Sequence, residues 1–111
     1  LAAVDFIHQQ AQQRQELLPV AEKLASDTQQ LRSALLDLTL GRQSITQGEL
    51  RQRANSLVLR ATQAALSAAK GAGFVSGHVA GRMAREALFF LVWSCPQPVV
   101  SANLCELAQL Q

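Results

Sequence analysis

Two seams of apolar residues constrain this sequence more than anything else in it. Leu17, Ala21, Leu24, Thr28, Leu31, Leu35 and Leu38 recur at alternating spacings of four and three. Leu50, Ala54, Leu57, Ala61, Ala64 and Ala68 repeat the pattern further on. Such spacing places each set on one face of a helix. Local propensity agrees, because Ala (18), Leu (18) and Gln (14) supply 50 of the 111 residues, while Tyr is absent and aromatics are 5%. The expectation is one all-α domain over residues 1–111, an antiparallel four- to five-helix bundle. A chain of this length can bury about two-thirds of its unfolded surface, enough for a core of its own.

Local signals divide the chain. A first helix is expected from Ala2 to Glu16, its second half crowded with Gln. Pro19 suits the first turn of a new helix, where its missing N–H is not needed, or else kinks one long helix. Gly41 stops the second helix, and Gly41–Gly48 forms a polar connector. Thr46-Gln47-Gly48-Glu49 has the form of a capping box and starts a third helix. Its outer side carries Arg53, Arg60 and Ser67 at seven-residue intervals, with Gln63 and Lys70 beside them. It ends at Lys70-Gly71-Ala72-Gly73-Phe74, where glycine permits a left-handed cap and close backbone approach. A fourth helix is expected from His78 to Val92 with an inner stripe of Val79, Met83, Ala87 and Phe90. Its end is apolar all round through Phe89, Leu91, Val92 and Trp93, which implies burial on every side. Pro96 and Pro98 end it, and Ser101 caps a short last helix to Leu110.

Charge is unevenly spread within the net +2. Residues 1–41 hold three basic and five acidic side chains, residues 42–85 hold seven basic against Glu49 alone, and residues 86–111 add Glu86 and Glu106. The basic middle could face a phosphate-bearing ligand or an acidic partner, or simply be a solvated helix face. With 49% hydrophobic and 16% charged residues, charge-driven disorder is excluded. Cys95 and Cys105 are too few for a disulfide scaffold, fit no zinc spacing, and read as small buried residues of a cytoplasmic protein. The uncharged stretch Ala87–Cys105 contains Pro96 and Pro98 and makes a poor membrane span. No leader is expected, and a chain opening on Leu1 reads as a piece of something longer. No nucleophile triad, carboxylate pair, metal cluster or Walker loop is visible.

The order of helix, glycine loop, basic helix and aromatic end carries more information than any of its parts. Ser67-Ala68-Ala69-Lys70-Gly71-Ala72-Gly73-Phe74 is followed by Arg82-Met83-Ala84-Arg85-Glu86-Ala87 and then by Val92-Trp93-Ser94-Cys95-Pro96. This run resembles, without a gap, the C-terminal helical domain of the acyl-CoA dehydrogenase family of flavoproteins. That family has Gln-x-x-Gly-Gly-x-Gly-Tyr/Phe, then Glu/Gly-Arg-x-x-Arg-Asp-Ala, then Ile-Tyr-Glu-Gly-Thr. The resemblance implies a domain that forms one wall of an FAD and acyl pocket, working with upstream flavin-binding domains in a homo-oligomer. It places Ser67, Lys70 and Gly71 against the flavin dinucleotide, often a neighbouring subunit's, and Trp93 beside the flavin ring. Arg85 and Glu86 match a structural Arg-Asp pair. Ser94 stands where the family's usual catalytic Glu does, and a neutral hydroxyl cannot act as that base. The family's flavin-binding Arg-x-x-Phe segment and β domain would lie upstream.

Two other readings are open. The chain could be a non-catalytic helical interaction module in which the glycine loop is only a cap. A nucleic-acid binder is the third, favoured by the basic middle but opposed by the single aromatic there, which offers few bases a stacking platform.

Overall fold

The computed structural model describes residues 1–42 and 45–110, with the side chains of Phe74 and Val92 outside the description. Positions 43 and 44 of the expected connector therefore lie outside it. Five α-helices follow one another: α1 (Ala2–Ala11), α2 (Leu18–Thr39), α3 (Gln47–Ala68), α4 (Val79–Ser94) and α5 (Gln97–Leu107). Short 3-10 turns cover Gln15–Leu17 and Lys70–Phe74, and no strand occurs among the described residues. The all-α expectation holds. Among the described residues, no helix is long and apolar enough to cross a membrane.

α3 is the axis of the bundle and packs against the other four helices. Its 22 residues run to about 33 Å, which accounts for a molecule measuring 42 × 26 × 26 Å. The radius of gyration, 14.9 Å, exceeds the roughly 13 Å of a compact chain this long. The main core joins Ala3, Val4 and Ile7 of α1 to Ala21 and Leu24 of α2 and to Leu57, Ala61 and Ala65 of α3. A smaller cluster joins Leu59 of α3 to Ala87 and Leu91 of α4. Most of these side chains are small, so helices approach closely while total buried volume stays modest.

Several boundaries follow the expected chemistry. Pro19 lies in the first turn of α2. Thr46 caps α3, its hydroxyl accepting from the Glu49 N–H at 3.1 Å. His78 caps α4, with Nδ1 accepting from the Ala80 N–H at 3.1 Å.

Other expectations are corrected. The first helix stops at Ala11, short of Glu16, because Arg14 turns to extended backbone and its guanidinium donates to the Ala68 carbonyl at the end of α3. Leu35, in the expected seam, is 53% exposed: a groove of about 400 Å³ opens between Leu31 and Leu35 of α2 and Leu50 and Ala54 of α3. On α4 the buried residues are Ala80, Gly81, Ala87 and Leu91, so the inner stripe is turned by about one residue from the expected one. Val79 and Phe90 are exposed and Met83 is half-buried. α5 starts directly after Pro96 with Pro98 in its first turn, so Ser101 lies inside the helix and accepts from Gln97 Nε2 at 3.3 Å. Cys105 is exposed and Cys95 half-buried, neither fully inside.

One ion pair ties α2 to α3. Asp27 accepts from Lys23 at 2.6 Å and from Arg60 at 3.1 Å, with its side chain 13% exposed. The Lys23 hydrogen bond, reinforced by Arg60 against the opposing effect of burial, holds its carboxyl below the usual range. A depressed carboxylate contributes stability above its unfolded pKa of about 3.9 and loses it as pH falls through the folded value. Asp27→Asn should therefore lower Tm at pH 7 and change it little near pH 2. Equal losses at both pH values would show that the pair does not couple to folding.

Candidate functional site

The residues that the sequence singles out fall at the two ends of α4. At one end, α3 stops at Ala68, and the residue that turns left-handed is Lys70 (φ 56°), not a glycine. This corrects the expected glycine cap. Gly71 needs no special φ and faces open space, with nothing within 4 Å of where a Cβ would stand. Gly73 and Gly81 are the positions where side chains are excluded. A Cβ on Gly73 would lie 2.6 Å from Leu66 Cδ1 and 3.3 Å from the Leu66 carbonyl, and one on Gly81 would collide with the Gly73 carbonyl. The first turn of α4 thus rests directly on the loop backbone.

Ser67, Lys70 and Gly71 are all exposed within one turn of chain at the end of α3. Arg14, missed by the sequence reading, supplies the cation at this helix C-terminus, the favourable end for positive charge. Its only sequence signal was a basic residue within a Gln-rich run. Lys70 stands in solvent beside an open stretch of backbone. A hydroxyl, an ammonium and an unobstructed loop fit an anionic phosphate group.

At the other end, Arg82, Glu86, Phe89 and Trp93 follow one another along the outer face of α4 at helical spacing. Arg82 pairs with Glu86 at 3.7 Å. Trp93 is 74% exposed and stacks on Phe89 with ring centroids 6.0 Å apart and planes 27° apart. Phe89 meets Phe90 edge-on at 6.1 Å. Leu88, Phe89 and Phe90 are each more than half exposed. The expected burial on every side is overturned: Ala87 and Leu91 pack on Leu59 of α3, and the bulky rings are left outside. Leu88, Phe89, Phe90 and Trp93 thus leave an apolar and aromatic stretch facing solvent at this end of α4. Its stacked indole offers a planar wall that a flavin ring would suit.

Ser94 is exposed, and its carbonyl accepts from Arg51 at 2.8 Å. Trp93 and the loop are separated by the length of α4, roughly 20 Å. The structure does not bring Trp93 together with Ser67, Lys70 and Gly71 in one contact site. An apolar groove of about 340 Å³ runs between α1, α3 and α4, lined by Val58, Leu59, Met83, Ala87, Phe90 and Leu91 among others, with Glu86 on its rim. It includes none of the four expected cofactor residues. Among the described residues no group of three or more His, Cys, Asp or Glu could hold a metal ion.

Comparison of the chain with protein-family models, with curated proteins and with solved structures returned no match.

Proposed function

We propose that this chain is the C-terminal helical domain of an acyl-CoA dehydrogenase-like, FAD-dependent oxidoreductase, forming one wall of its flavin and acyl pocket and part of its subunit interface. The observation that carries the reading is the uncovered aromatic end of α4. Trp93, stacked on Phe89 and mostly exposed, stands at the position where the resemblance puts an aromatic residue beside the flavin. Lys70, Ser67 and the open backbone at Gly71 would meet a dinucleotide phosphate. The span of α4 makes that a different region from Trp93, in keeping with a loop that faces a neighbouring subunit's cofactor. When bound, FAD would accept the electrons of substrate oxidation. This chain contributes shape, stacking and charge, and Ser94 takes no substrate proton.

Purification of the natural protein that carries these residues tests this directly. It should hold flavin, and Trp93→Ala should weaken flavin binding by about tenfold, the scale of one lost aromatic contact. Protein free of flavin under all conditions would overturn the reading. In the flavin-bearing protein, Ser94→Ala should leave acyl-CoA-dependent flavin reduction within about twofold, whereas a fall of 10²-fold or more, on the scale of lost acid–base catalysis, would make Ser94 the base after all. The 111 residues alone should bind FAD weakly or not at all, because such a cofactor is normally gripped from several sides.

A second reading has its own support. Gly73 and Gly81 serve the packing of α4 on the loop, which is what a non-catalytic helical interaction module would need from its glycines. Flavin content separates the two.

A further inference from the structure

We infer that Arg51 of α3 is a positioning residue for the aromatic end of α4, setting where Trp93 stands. The last carbonyls of any helix lack intrahelical donors and need partners from elsewhere. α4 has no left-handed cap: Cys95 is extended (φ −103°, ψ 139°), and Pro96 and Pro98 bring no N–H that could fold back. Side-chain donors for this end come from α3. Arg51 Nη2 donates to the Ser94 carbonyl at 2.8 Å and lies 3.7 Å from Cys95 Sγ. Asn55, one turn on, donates to Cys95 Sγ at 3.1 Å and to Asn103 Oδ1 at 3.2 Å. The Cys95 thiol in turn reaches back to the Phe90 carbonyl at 3.6 Å.

The far side of this seam is fixed. Asn103 of α5 is fully buried and donates to the Gln52 carbonyl at 3.1 Å, so α5 is locked to the same stretch of α3. The end of α4 therefore hangs between two anchored elements, and among the described residues Arg51 is the charged donor on its terminal carbonyls. Trp93 precedes Ser94 by one residue and has little packing of its own beyond Phe89, so its direction is set by the backbone that Arg51 holds. Charged donors form the stronger hydrogen bonds, which suits a clamp with so little cover around it.

The inference concerns the wall used in the flavin reading, and rests on that reading only for its consequence. The test is amide hydrogen exchange across the whole chain, with 5-fluorotryptophan at position 93 giving a single fluorine resonance, in Arg51→Leu and Arg51→Lys. Arg51→Leu should raise exchange over residues 90–95 roughly tenfold, the scale of one lost charged hydrogen bond in local opening, and shift or split the fluorine line. Residues 80–87 and α1 should keep their protection, and Arg51→Lys should restore most of the parent behaviour. An unchanged fluorine line and unchanged exchange over 90–95 would overturn the inference, as would a uniform rise across all five helices. If Arg51→Leu does not fold by circular dichroism, Arg51→Ala takes its place with the same two readouts and the same criteria. Neither readout requires flavin, so flavin-free protein would sink the proposed function and leave this result standing.

Discussion

Gly81→Ala should cost about 3 kcal/mol or more, measured by urea unfolding followed by circular dichroism. Helix propensity alone predicts the opposite sign, a gain of about 1 kcal/mol for Ala over Gly inside a helix. The contact decides against it. A Cβ at position 81 would run into the carbonyl of Gly73, which is backbone and cannot swing aside, and would also lie 3.4 Å from Arg85 Nη1. Relief requires either the loop or the start of α4 to move, in a place where His78 already fixes the first turn. Overpacking of this kind usually costs 1–3 kcal/mol, and a rigid partner puts it at the upper end. Gly71→Ala is the control: with open space and an ordinary φ it should be neutral or slightly stabilising. A stabilised Gly81→Ala would show that α4 does not rest on the loop.

Ile7→Ala should cost about 2–5 kcal/mol, a large share of the roughly 5–15 kcal/mol available to a domain. Ile7 is fully buried among Ala3, Val4, Leu24, Leu57 and Ala61, and a core of small side chains has few large neighbours that can collapse into the space. Leu57→Ala belongs in the same range for the same reason. Leu35→Ala removes as many atoms as Ile7→Ala and Phe90→Ala removes more, but from half-exposed sites, and each should cost under about 1 kcal/mol. If Phe90→Ala proved as costly as Ile7→Ala, the face that α4 turns to α3 would be the wrong one.

These contrasts also show what the sequence carried. Helices 2 and 3 were legible because punctuation and period coincided: Pro19 at one start, Thr46 and Glu49 at the other, and four–three spacing between. α4 was legible as a helix but not in its phase. From Ala87 to Trp93 every residue is apolar, so no polar side marks which way it faces, and helical spacing placed Phe90 on the inner stripe. Packing keeps Ala87 of that stripe inside but sets Leu91 beside it against Leu59 of α3, in place of Phe90. Leu35 continued a faultless seam past the point where α2 and α3 stay in contact, and periodicity cannot report where a partner ends. The left-handed Lys70 was hidden by Gly71 and Gly73, residue types that take that backbone at less cost. Arg14 and Arg51 reach carbonyls 54 and 43 residues away, at range no local pattern encodes. Within the candidate site, the loop residues and Trp93 were singled out by resemblance alone, and their separation along α4 needed the fold.

Trp93 is the one tryptophan in a chain without tyrosine, so ultraviolet emission from this protein comes in effect from a single point. That point is already 74% exposed before any unfolding occurs. Denaturation moves the indole from one aqueous setting to another, and a fluorescence melt of this chain will look nearly flat while the helices are being lost. The same property makes emission a sensitive gauge of contact. Anything that settles over the end of α4 removes water from the indole and shifts or quenches its light, with little background from the rest of the molecule.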